Sequence, residues 1–261
     1  MQRHPFDSIR FDRQVRFAGF GQQGQAALAR SRILIVGLGG LGSWLAELLA
    51  RAGVGMLRIV DPDQVEMINL HRQGLYDQQD ADGGVLKVIA AQRRLRSIAP
   101  DTSIEPIAKR LEPSNVNELA HDVELILDGT DNFATRFLLN DYAVRHGISW
   151  IFAGVVEAQG QVMPILPGQS ACLRCVYEIP PPEYIQPTAA TAGVLGPAVA
   201  AVASIEAVQA VRILSGALTP GSAEMIKLNL WTGAIQRLNV SNRRADCPCC
   251  IKGRFDFLDR R

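Results

Sequence analysis

The first half of the chain alternates short apolar runs with amphipathic patterns. Apolar runs at residues 33–36, 56–60 and 123–128 have the length and composition of strands that are buried on both faces of a parallel sheet. A further short strand is predicted at residues 102–108. Helical patterns are predicted at residues 43–50, 85–99, 113–120 and 133–146. This alternation of strand and helix is typical of a doubly wound parallel sheet.

The second half of the chain has a different pattern. Strand-like runs come in close pairs, at residues 149–156 with 161–166 and at residues 227–231 with 234–240, and a short turn containing glycine joins each pair. Such pairs predict antiparallel hairpins. We therefore predict an α/β fold with a Rossmann-like mixed sheet, which is parallel in its N-terminal half and antiparallel in its C-terminal half.

One stretch of the first half carries a chemical signal. The first strand is followed by a glycine turn and a helix, and the next strand ends in Asp61. Gly37 allows a tight turn, Gly39 lets the backbone approach a ligand, and Gly42 lets helix and strand pack closely. The helix N-terminus presents free N–H groups to phosphate, and an acid about 20 residues further on binds ribose hydroxyls. The stretch predicts a nucleotide site and, taken alone, favours NAD.

The chain is predicted to form a single domain over residues 1–261, because no linker separates two cores. Its parts are an N-terminal arm at residues 1–30, a nucleotide-binding half at residues 31–147 and a second half at residues 148–261. The arm is polar, and its composition alone predicts a solvated surface segment. An apolar segment at residues 194–214 contains Pro197, Glu206, Gln209 and Arg212, so it predicts a buried or interface helix rather than a membrane span.

Composition restricts the partners and the compartment. The formal net charge is +1, so the chain lacks the basic surface expected of a protein that binds nucleic acid or an anionic membrane. The first residues contain no apolar segment of the kind found in signal peptides. We therefore expect a cytoplasmic protein with neither nucleic acid nor a membrane as its partner.

The five cysteines form two groups. Cys172 and Cys175 are spaced as C-x-x-C, and Cys247 and Cys250 span a second such motif. Four thiolates from two such turns make a closed tetrahedral site, so we predict a structural Zn²⁺ ion in a C-terminal zinc knuckle, with Cys249 left over. A redox pair and scattered free thiols are the alternatives. No cysteine lies outside these groups, so a separate catalytic cysteine is not expected.

Polar residues beyond the glycine turn indicate phosphate chemistry rather than hydride transfer. Asn69 and Arg72 follow the second strand, Lys87 lies on the next helix, and Asp131 follows a later strand. The carboxyl ends of these strands meet at one crevice. A carboxylate there repels phosphate unless a cation intervenes, and Mg²⁺ binds triphosphates with one or two protein carboxylates. It is also possible to interpret Arg72 and Lys87 as solvated surface charges and Asp131 as a helix cap.

Taken together, the motifs resemble those of the bacterial E1-like enzymes that adenylate ubiquitin-fold sulfur carriers, the MoeB/ThiF/HesA family. The resemblance covers nearly the whole chain. It rests on Arg13-Gln14 with the following arm, residues 36–42, 61–63 and 69–73, Lys87, residues 128–132 and the two cysteine pairs. It implies ATP with Mg²⁺, a carrier that ends in Gly-Gly, and an acyl-adenylate formed with release of pyrophosphate. It also implies a homodimer, in which residues 148–261 bind the carrier and zinc and form the dimer.

The resemblance assigns roles to the matching residues. Asp61 would bind the ribose, Asp131 would associate with Mg²⁺, and Arg13 would be an arginine finger that reaches the partner's site, which replaces the interpretation of the arm as solvated. The nucleotide-binding set is Gly39, Gly40, Asp61, Asp63, Asn69, Arg72, Lys87, Asp131 and Asn132. The catalytic set is Arg13, Arg72, Lys87 and Asp131.

The chain departs from the family pattern at one loop. Many members carry a cysteine in the loop before the apolar helix, whereas here residues 188–193 contain none and Ala189 stands at about that position. This favours an enzyme that forms the acyl-adenylate and does not go on to form a covalent bond between a cysteine of its own and the carrier. No further domain follows the second cysteine pair in this sequence, so we expect a separate persulfide protein to donate the sulfur.

Three other functions remain open at this point. In the first, the protein is also an adenylating enzyme, but the acceptor of the adenylyl group is a small molecule or a modified tRNA base. The second is an NAD-dependent oxidoreductase, which needs only the glycine turn and the acid. The third is a nucleotide-binding protein without catalysis. The sequence does not identify the carrier or its pathway.

Overall fold

Eight strands form one sheet in the computed structural model, which describes residues 6–182 and 187–259. The strands are β1 (Arg32–Val36), β2 (Met56–Val60), β3 (Ser103–Ile107), β4 (Leu125–Asp128), β5 (Ser149–Val156), β6 (Gln159–Ile165), β7 (Glu224–Asn229) and β8 (Ala234–Asn239). Their order is β3-β2-β1-β4-β5-β6-β7-β8. Neighbours from β3 to β5 are parallel, and those from β5 to β8 are antiparallel. The predicted mixed sheet is confirmed.

Helices cover both faces of this sheet. They are α1 (Asp12–Val15), α2 (Gly21–Leu28), α3 (Gly40–Ala52), α4 (Gln78–Asp82), α5 (Lys87–Ile98), α6 (Val116–Ala120), α7 (Phe133–His146), α8 (Leu173–Val176) and α9 (Gly196–Leu214). The apolar sides of α3, α5 and α9 form one core with the sheet, and those of α6, α7 and α8 form the other. Apolar strands such as β1 fit this arrangement because both of their faces are buried.

The N-terminal arm is exposed over much of its length, as its composition predicted, but it is anchored at a few positions. Phe11 is buried and packs against Gly53, at the end of α3. The side-chain amides of Gln14 and Gln25 both donate to the carbonyl oxygen of Ala52, at 2.9 and 3.0 Å. The anchoring was not predicted because these contacts join residues that are distant in sequence, and helical periodicity does not report them.

Two local features also differ from the predictions. The turn between β5 and β6 contains only Glu157 and Ala158, since Val156 already pairs with Gln159. The polar, turn-rich stretch before α5 contains the short helix α4, which a reciprocal capping box between Asp77 and Asp80 begins. Most other predicted elements are present, with boundaries shifted by a few residues.

One face of the long apolar helix α9 packs on the core. The helix is long and apolar enough to cross a membrane, with a mean hydropathy of 1.5, and 44% of its most apolar part is buried inside the protein. It packs against α3, β5 and β6, and its residues Glu206 and Gln209 are buried. A buried carboxyl and a buried amide are expected of a helix that packs on protein groups.

The glycine turn is fixed by close approach of three backbone segments. Gly37 has a positive φ of 85°, so the turn into α3 takes a conformation that favours glycine. A Cβ atom on Gly42 would lie 1.8 Å from the carbonyl oxygen of Gly37, and a Cβ atom on Gly129 would lie 2.1 Å from the same oxygen. The turn, the first part of α3 and the segment after β4 therefore touch through backbone atoms.

We predict that Gly42→Ala lowers the free energy of unfolding by roughly 3 kcal/mol, because the added methyl group forces the turn away from α3. Gly221→Ala is the matched control, since a Cβ atom at that position meets no heavy atom within 4 Å. Chemical denaturation of both variants measures the effect. Equal stability of the two variants would contradict the steric account of the turn.

Candidate functional site

A cavity of about 890 Å³ lies at the carboxyl ends of β1, β2 and β4 and continues along β5 to β8. The carboxyl ends of parallel strands are where ligands bind in folds of this type. All nine residues of the predicted nucleotide-binding set line this cavity: Gly39, Gly40, Asp61, Asp63, Asn69, Arg72, Lys87, Asp131 and Asn132. The fold therefore brings together residues that come from separate segments of the chain.

Asp61 holds the glycine turn as well as lining the cavity. One carboxylate oxygen accepts the backbone N–H of Leu38 at 2.6 Å, and the other accepts that of Asp63 at 2.9 Å. Burial raises the pKa of Asp61, and the positive charge of Lys87 and these two hydrogen bonds oppose the rise. Each carboxylate oxygen has a second lone pair, so the group can still accept a ligand hydroxyl.

Lys87 begins α5 and is buried beside two carboxylates. Its Nζ atom lies 3.0 Å from Asp63 Oδ2 and 3.8 Å from Asp61 Oδ1. The interpretation of Lys87 as a solvated surface charge is wrong, because its side chain is only 7% exposed. In this structure the two carboxylates compensate the charge of the ammonium, and the side chain of Asp63, the nearer of the two, is 57% exposed.

Arg72 is held on the other side of the glycine turn. Its Nη2 atom donates to Asn69 Oδ1 at 2.6 Å, so the pair predicted to contact phosphate forms one unit. Burial lowers the pKa of Arg72, and the negative charge of Asp131 opposes the decrease. The guanidinium thus lies within electrostatic reach of the carboxylate that the sequence associated with Mg²⁺.

Asn132, rather than Asp131, caps helix α7. The Oδ1 atom of Asn132 accepts the backbone N–H of Thr135 at 2.9 Å. Asp131 is exposed, and within residues 6–182 and 187–259 its side chain makes no hydrogen bond or ion pair. The interpretation of Asp131 as a helix cap is therefore wrong, and its carboxylate lines the cavity unpaired.

A buried cluster next to the cavity was not predicted from the sequence. Asp128 ends β4 and is fully buried; its Oδ2 accepts Nε–H of Arg136 at 2.8 Å. Glu206, also fully buried, reaches in from α9, where its Oε1 accepts the backbone N–H of Asp128 at 3.2 Å. In the sequence, the charged residue Glu206 within the apolar segment of α9 was the signal that a buried polar partner would face this helix. Its partners lie far away along the chain, so the sequence did not identify them.

Burial disfavours the ionised form of both carboxyl groups in this cluster. Burial raises the pKa of Asp128 and raises that of Glu206 well above its ordinary range, where the negative charge of Asp128 adds to the effect. Arg136 forms its ion pair with Asp128, and the negative charge of Asp128 disfavours ionisation of Glu206, so Glu206 is the carboxyl of the two that keeps its proton to the higher pH.

The part of the cavity along β5 to β8 contains further polar side chains that sequence reasoning did not assign. They belong to Gln159 and Gln161 on β6, Lys227 on β7 and Gln236 on β8. Gln161, Lys227 and Gln236 lie side by side across three strands. No sequence motif marks them, because their proximity depends on the antiparallel register.

Arg13 does not line this cavity. It lies on α1 with a side chain that is 87% exposed, and its Nη1 atom is 3.7 Å from Asp12 Oδ2. The arm itself is anchored on its own subunit through Phe11 and Gln14. Of the four residues in the predicted catalytic set, the structure thus brings Arg72, Lys87 and Asp131 together within one chain.

The four predicted metal ligands form a compact cluster. The Sγ atoms of Cys172, Cys175, Cys247 and Cys250 all lie within 4.8 Å of one another. Three of these pairs are separated by 3.5, 3.6 and 3.9 Å. Tetrahedral zinc with Zn–S bonds of about 2.3 Å requires sulfur atoms roughly 3.8 Å apart, so the donor set fits this ion.

Cys249 takes no part in the four-cysteine set. It is buried, and its Sγ accepts a hydrogen bond from the side-chain amide of Asn140 at 3.4 Å. Asn140 in turn accepts the backbone N–H of Leu173 at 2.8 Å, next to the first ligand. The leftover thiol therefore belongs to the packing between α7 and the cysteine cluster.

The raised pKa of Glu206 predicts a pH effect on stability. The pKa of Glu206 is raised in the folded state, whereas in the unfolded chain the side chain releases its proton above about pH 4.3. The contribution of this group to stability is therefore complete below about pH 4.3. It is lost as the pH rises through the folded-state pKa. Glu206→Gln removes the effect. We expect the free energy of unfolding of the variant, relative to the wild type, to rise as the pH increases above about 4.3, by at most about 1.4 kcal/mol per pH unit. Denaturation over this range measures the difference, and a constant difference would show that Glu206 is ionised.

Comparisons with known proteins agree with the motifs. A family model described as the ThiF family matches residues 11–249. The sulfur carrier protein ThiS adenylyltransferase of Bacillus subtilis is 36% identical over 250 residues, which cover 95% of this chain and 73% of that protein. The sulfur carrier protein adenylyltransferase of Thermus thermophilus is 36% identical over 246 residues, which cover 92% of this chain and 90% of that protein.

The fold is also found among solved structures. The crystal structure of E. coli MccB with ATP has a TM-score of 0.79 and 21% sequence identity, and it covers 96% of this chain and 76% of that chain. The resemblance that the motifs indicated is confirmed by the family match, which spans most of the chain. This chain belongs to the ThiF family.

Proposed function

We propose that this protein is an ATP-dependent adenylyltransferase that activates the C-terminal Gly-Gly carboxylate of a ubiquitin-fold sulfur carrier. One observation carries the proposal: two buried or half-buried cations, Arg72 and Lys87, and the unpaired carboxylate of Asp131 line the same cavity as the glycine turn. An oxidoreductase would need only the turn and Asp61. The names of the relatives favour a sulfur carrier as the acceptor over a small molecule or a modified tRNA base.

ATP would occupy the end of the cavity beside β1, β2 and β4. Gly39 and Gly40 present backbone there, since a Cβ atom on Gly39 would meet nothing closer than 3.8 Å. The N-terminus of α3 favours phosphate through its free N–H groups and dipole. Gln73 Oε1 is buried and without a partner among the described residues, and it lines the same region. An amide without a partner beside the turn suits a polar ligand.

The reaction would be attack of the carrier carboxylate on the α-phosphate of ATP. An oxygen–phosphorus bond forms, the bond to the β-phosphate oxygen breaks, and pyrophosphate leaves with the electron pair. No general base is needed, because a C-terminal carboxylate is already ionised at neutral pH. Arg72 and Lys87 would hold the phosphates in place and offset the charge that accumulates during transfer. Mg²⁺ held by Asp131 would neutralise phosphate charge.

The carrier's tail would enter from the end of the cavity beside β5 to β8. That end is lined by side-chain amides and one lysine, with Ala189 on the loop that precedes α9. A tail ending in Gly-Gly is slim enough to lie against strand backbone. Because Ala189 offers no nucleophile, we propose that the enzyme stops at the adenylate and that a separate persulfide protein supplies the sulfur.

The second subunit would complete the site. Arg13 is highly exposed and lies outside its own cavity, as expected of a residue that acts in a neighbouring site. We propose a homodimer in which Arg13 of one subunit reaches the phosphates bound to the other. In the four-cysteine cluster we propose a structural Zn²⁺ ion that joins the C-terminal segment to α8.

The test of the function is ATP–pyrophosphate exchange in the presence of each Gly-Gly-terminated carrier of the source organism. We expect exchange with one of them and a loss of at least about 100-fold in Asp131→Ala, because the phosphates then lack their carboxylate-held cation. Asp101→Ala, at an exposed acid outside the cavity, is the control and should exchange normally. Normal exchange by Asp131→Ala would overturn the role of Asp131, and absence of exchange with every carrier despite ATP binding would overturn the function.

The arginine finger is tested by mixing subunits. Arg13→Ala and Asp131→Ala are each expected to be inactive alone. A heterodimer of the two contains one site with an intact Asp131 and an intact Arg13 from the neighbour, so part of the exchange activity should return. If co-expressed subunits form heterodimers and regain none, Arg13 does not act across the dimer.

The zinc site is tested with two cysteine variants. We expect Cys172→Ser to lose its zinc and to unfold at lower denaturant concentration, because metal binding contributes directly to folding. Cys249→Ser is the matched control and should keep one zinc ion per chain. Atomic absorption on the purified proteins measures the metal, and equal zinc content in the two variants would contradict the assignment of ligands.

A further inference from the structure

The backbone on both sides of Asp131 is immobilised, while its own carboxylate is free. On one side, Thr130 donates both its N–H and its hydroxyl to Asp128 Oδ1, at 2.9 and 2.6 Å. On the other side, Asn132 is fixed as the cap of α7. Gly129 adds a third restraint, since its backbone touches the carbonyl of Gly37 in the glycine turn.

Arg136 ties this segment to the centre of the sheet. Its Nη2 atom donates to the carbonyl oxygens of Thr130 at 2.7 Å and of Ala153 at 2.9 Å, and its Nε atom donates to Asp128 at 2.8 Å. The guanidinium also lies over the rings of Phe133 and Phe152, at 5.1 and 5.2 Å. The planar fork of arginine makes these contacts at once, and the single ammonium of lysine does not.

Glu206 completes the cluster from α9. Its Oε1 accepts the N–H of Asp128, a group at the end of β4 that has already left the pairing with β5. Its Oε2 is buried without a partner among the described residues. Burying two carboxyl groups and a guanidinium is costly compared with apolar packing, so stability alone does not account for them. Their common effect is to fix the segment that leads to Asp131.

We propose that Arg136 and Glu206 are positioning residues: they hold residues 129–131 so that the free carboxylate of Asp131 faces the phosphates. The proposal rests on the function proposed above and deepens it. It predicts that the acceptor oxygen at position 206 matters, whereas the acidity of the side chain does not. It also makes α9 a direct support of the nucleotide end of the cavity.

The experiment compares Glu206→Gln, Glu206→Met and Arg136→Lys with Gln209→Met. The last variant is the matched control, because Gln209 is a buried polar residue about one turn further along α9 whose side chain contacts Arg212 instead. Two quantities are measured: the kcat of ATP–pyrophosphate exchange, and the affinity for Mn²⁺ in the presence of a nonhydrolysable ATP analogue, followed by electron paramagnetic resonance.

We expect Glu206→Met and Arg136→Lys to lose about 10- to 100-fold in both quantities, as is usual when a group supporting a metal ligand is removed. The KM for the carrier should be unchanged. Glu206→Gln, whose amide oxygen still accepts from Asp128, and Gln209→Met should behave like the wild type. A purely structural role would instead lower the two quantities in proportion to lost thermal stability.

Three results would overturn the proposal: wild-type behaviour of Glu206→Met, an equal loss in Glu206→Gln, or no Mn²⁺ binding by the wild type. If Glu206→Met does not fold, Arg136→Lys decides, and its wild-type behaviour would overturn the proposal. The Mn²⁺ titration needs no carrier, so it separates this proposal from the function. A protein that shows the expected Mn²⁺ pattern but exchanges with no carrier would disprove the function and leave the positioning role intact.

Discussion

The structure depends on the contact that the carbonyl oxygen of Gly37 makes with the backbone at Gly42 and Gly129. No side chain fits at either position, because its Cβ atom would lie 1.8 or 2.1 Å from that oxygen. The contact joins the glycine turn, the start of α3 and the segment after β4. It therefore sets the distance between the backbone that would hold phosphate and the carboxylate of Asp131.

Charges are distributed around this contact in two groups. Lys87, Asp61 and Asp63 lie on one side, and the cluster of Asp128, Arg136 and Glu206 lies on the other. In the first group the charges line the cavity, where a bound nucleotide would change their balance. In the second they are buried, with Arg136 also lining the cavity, and burial raises the pKa of both carboxyl groups. The hydrogen bonds of this second group fix the wall of the cavity beside Asp131.

Much of the fold followed from local pattern, because burial on two faces and alternation with helices are properties of short windows. The nucleotide-binding residues followed in part from the glycine turn and the rule that parallel strands end at one crevice, and in part from the family resemblance; all of them line the cavity. The contacts of Phe11 with Gly53 and of Glu206 with Asp128 join positions that are distant in sequence, so no short stretch of the sequence contained both partners. The row of Gln161, Lys227 and Gln236 depended on antiparallel register, which the hairpin pattern predicted only approximately.

Mass spectrometry of the carrier is the most direct measurement of the proposed activity. When the protein, ATP, Mg²⁺ and the Gly-Gly carrier are mixed, the carrier should gain the mass of one adenylyl group as pyrophosphate is released. A carrier lacking its last glycine should gain nothing. If the intact carrier stays unmodified while ATP is bound or hydrolysed, the cavity does not join nucleotide and carrier, and adenylation is not the function.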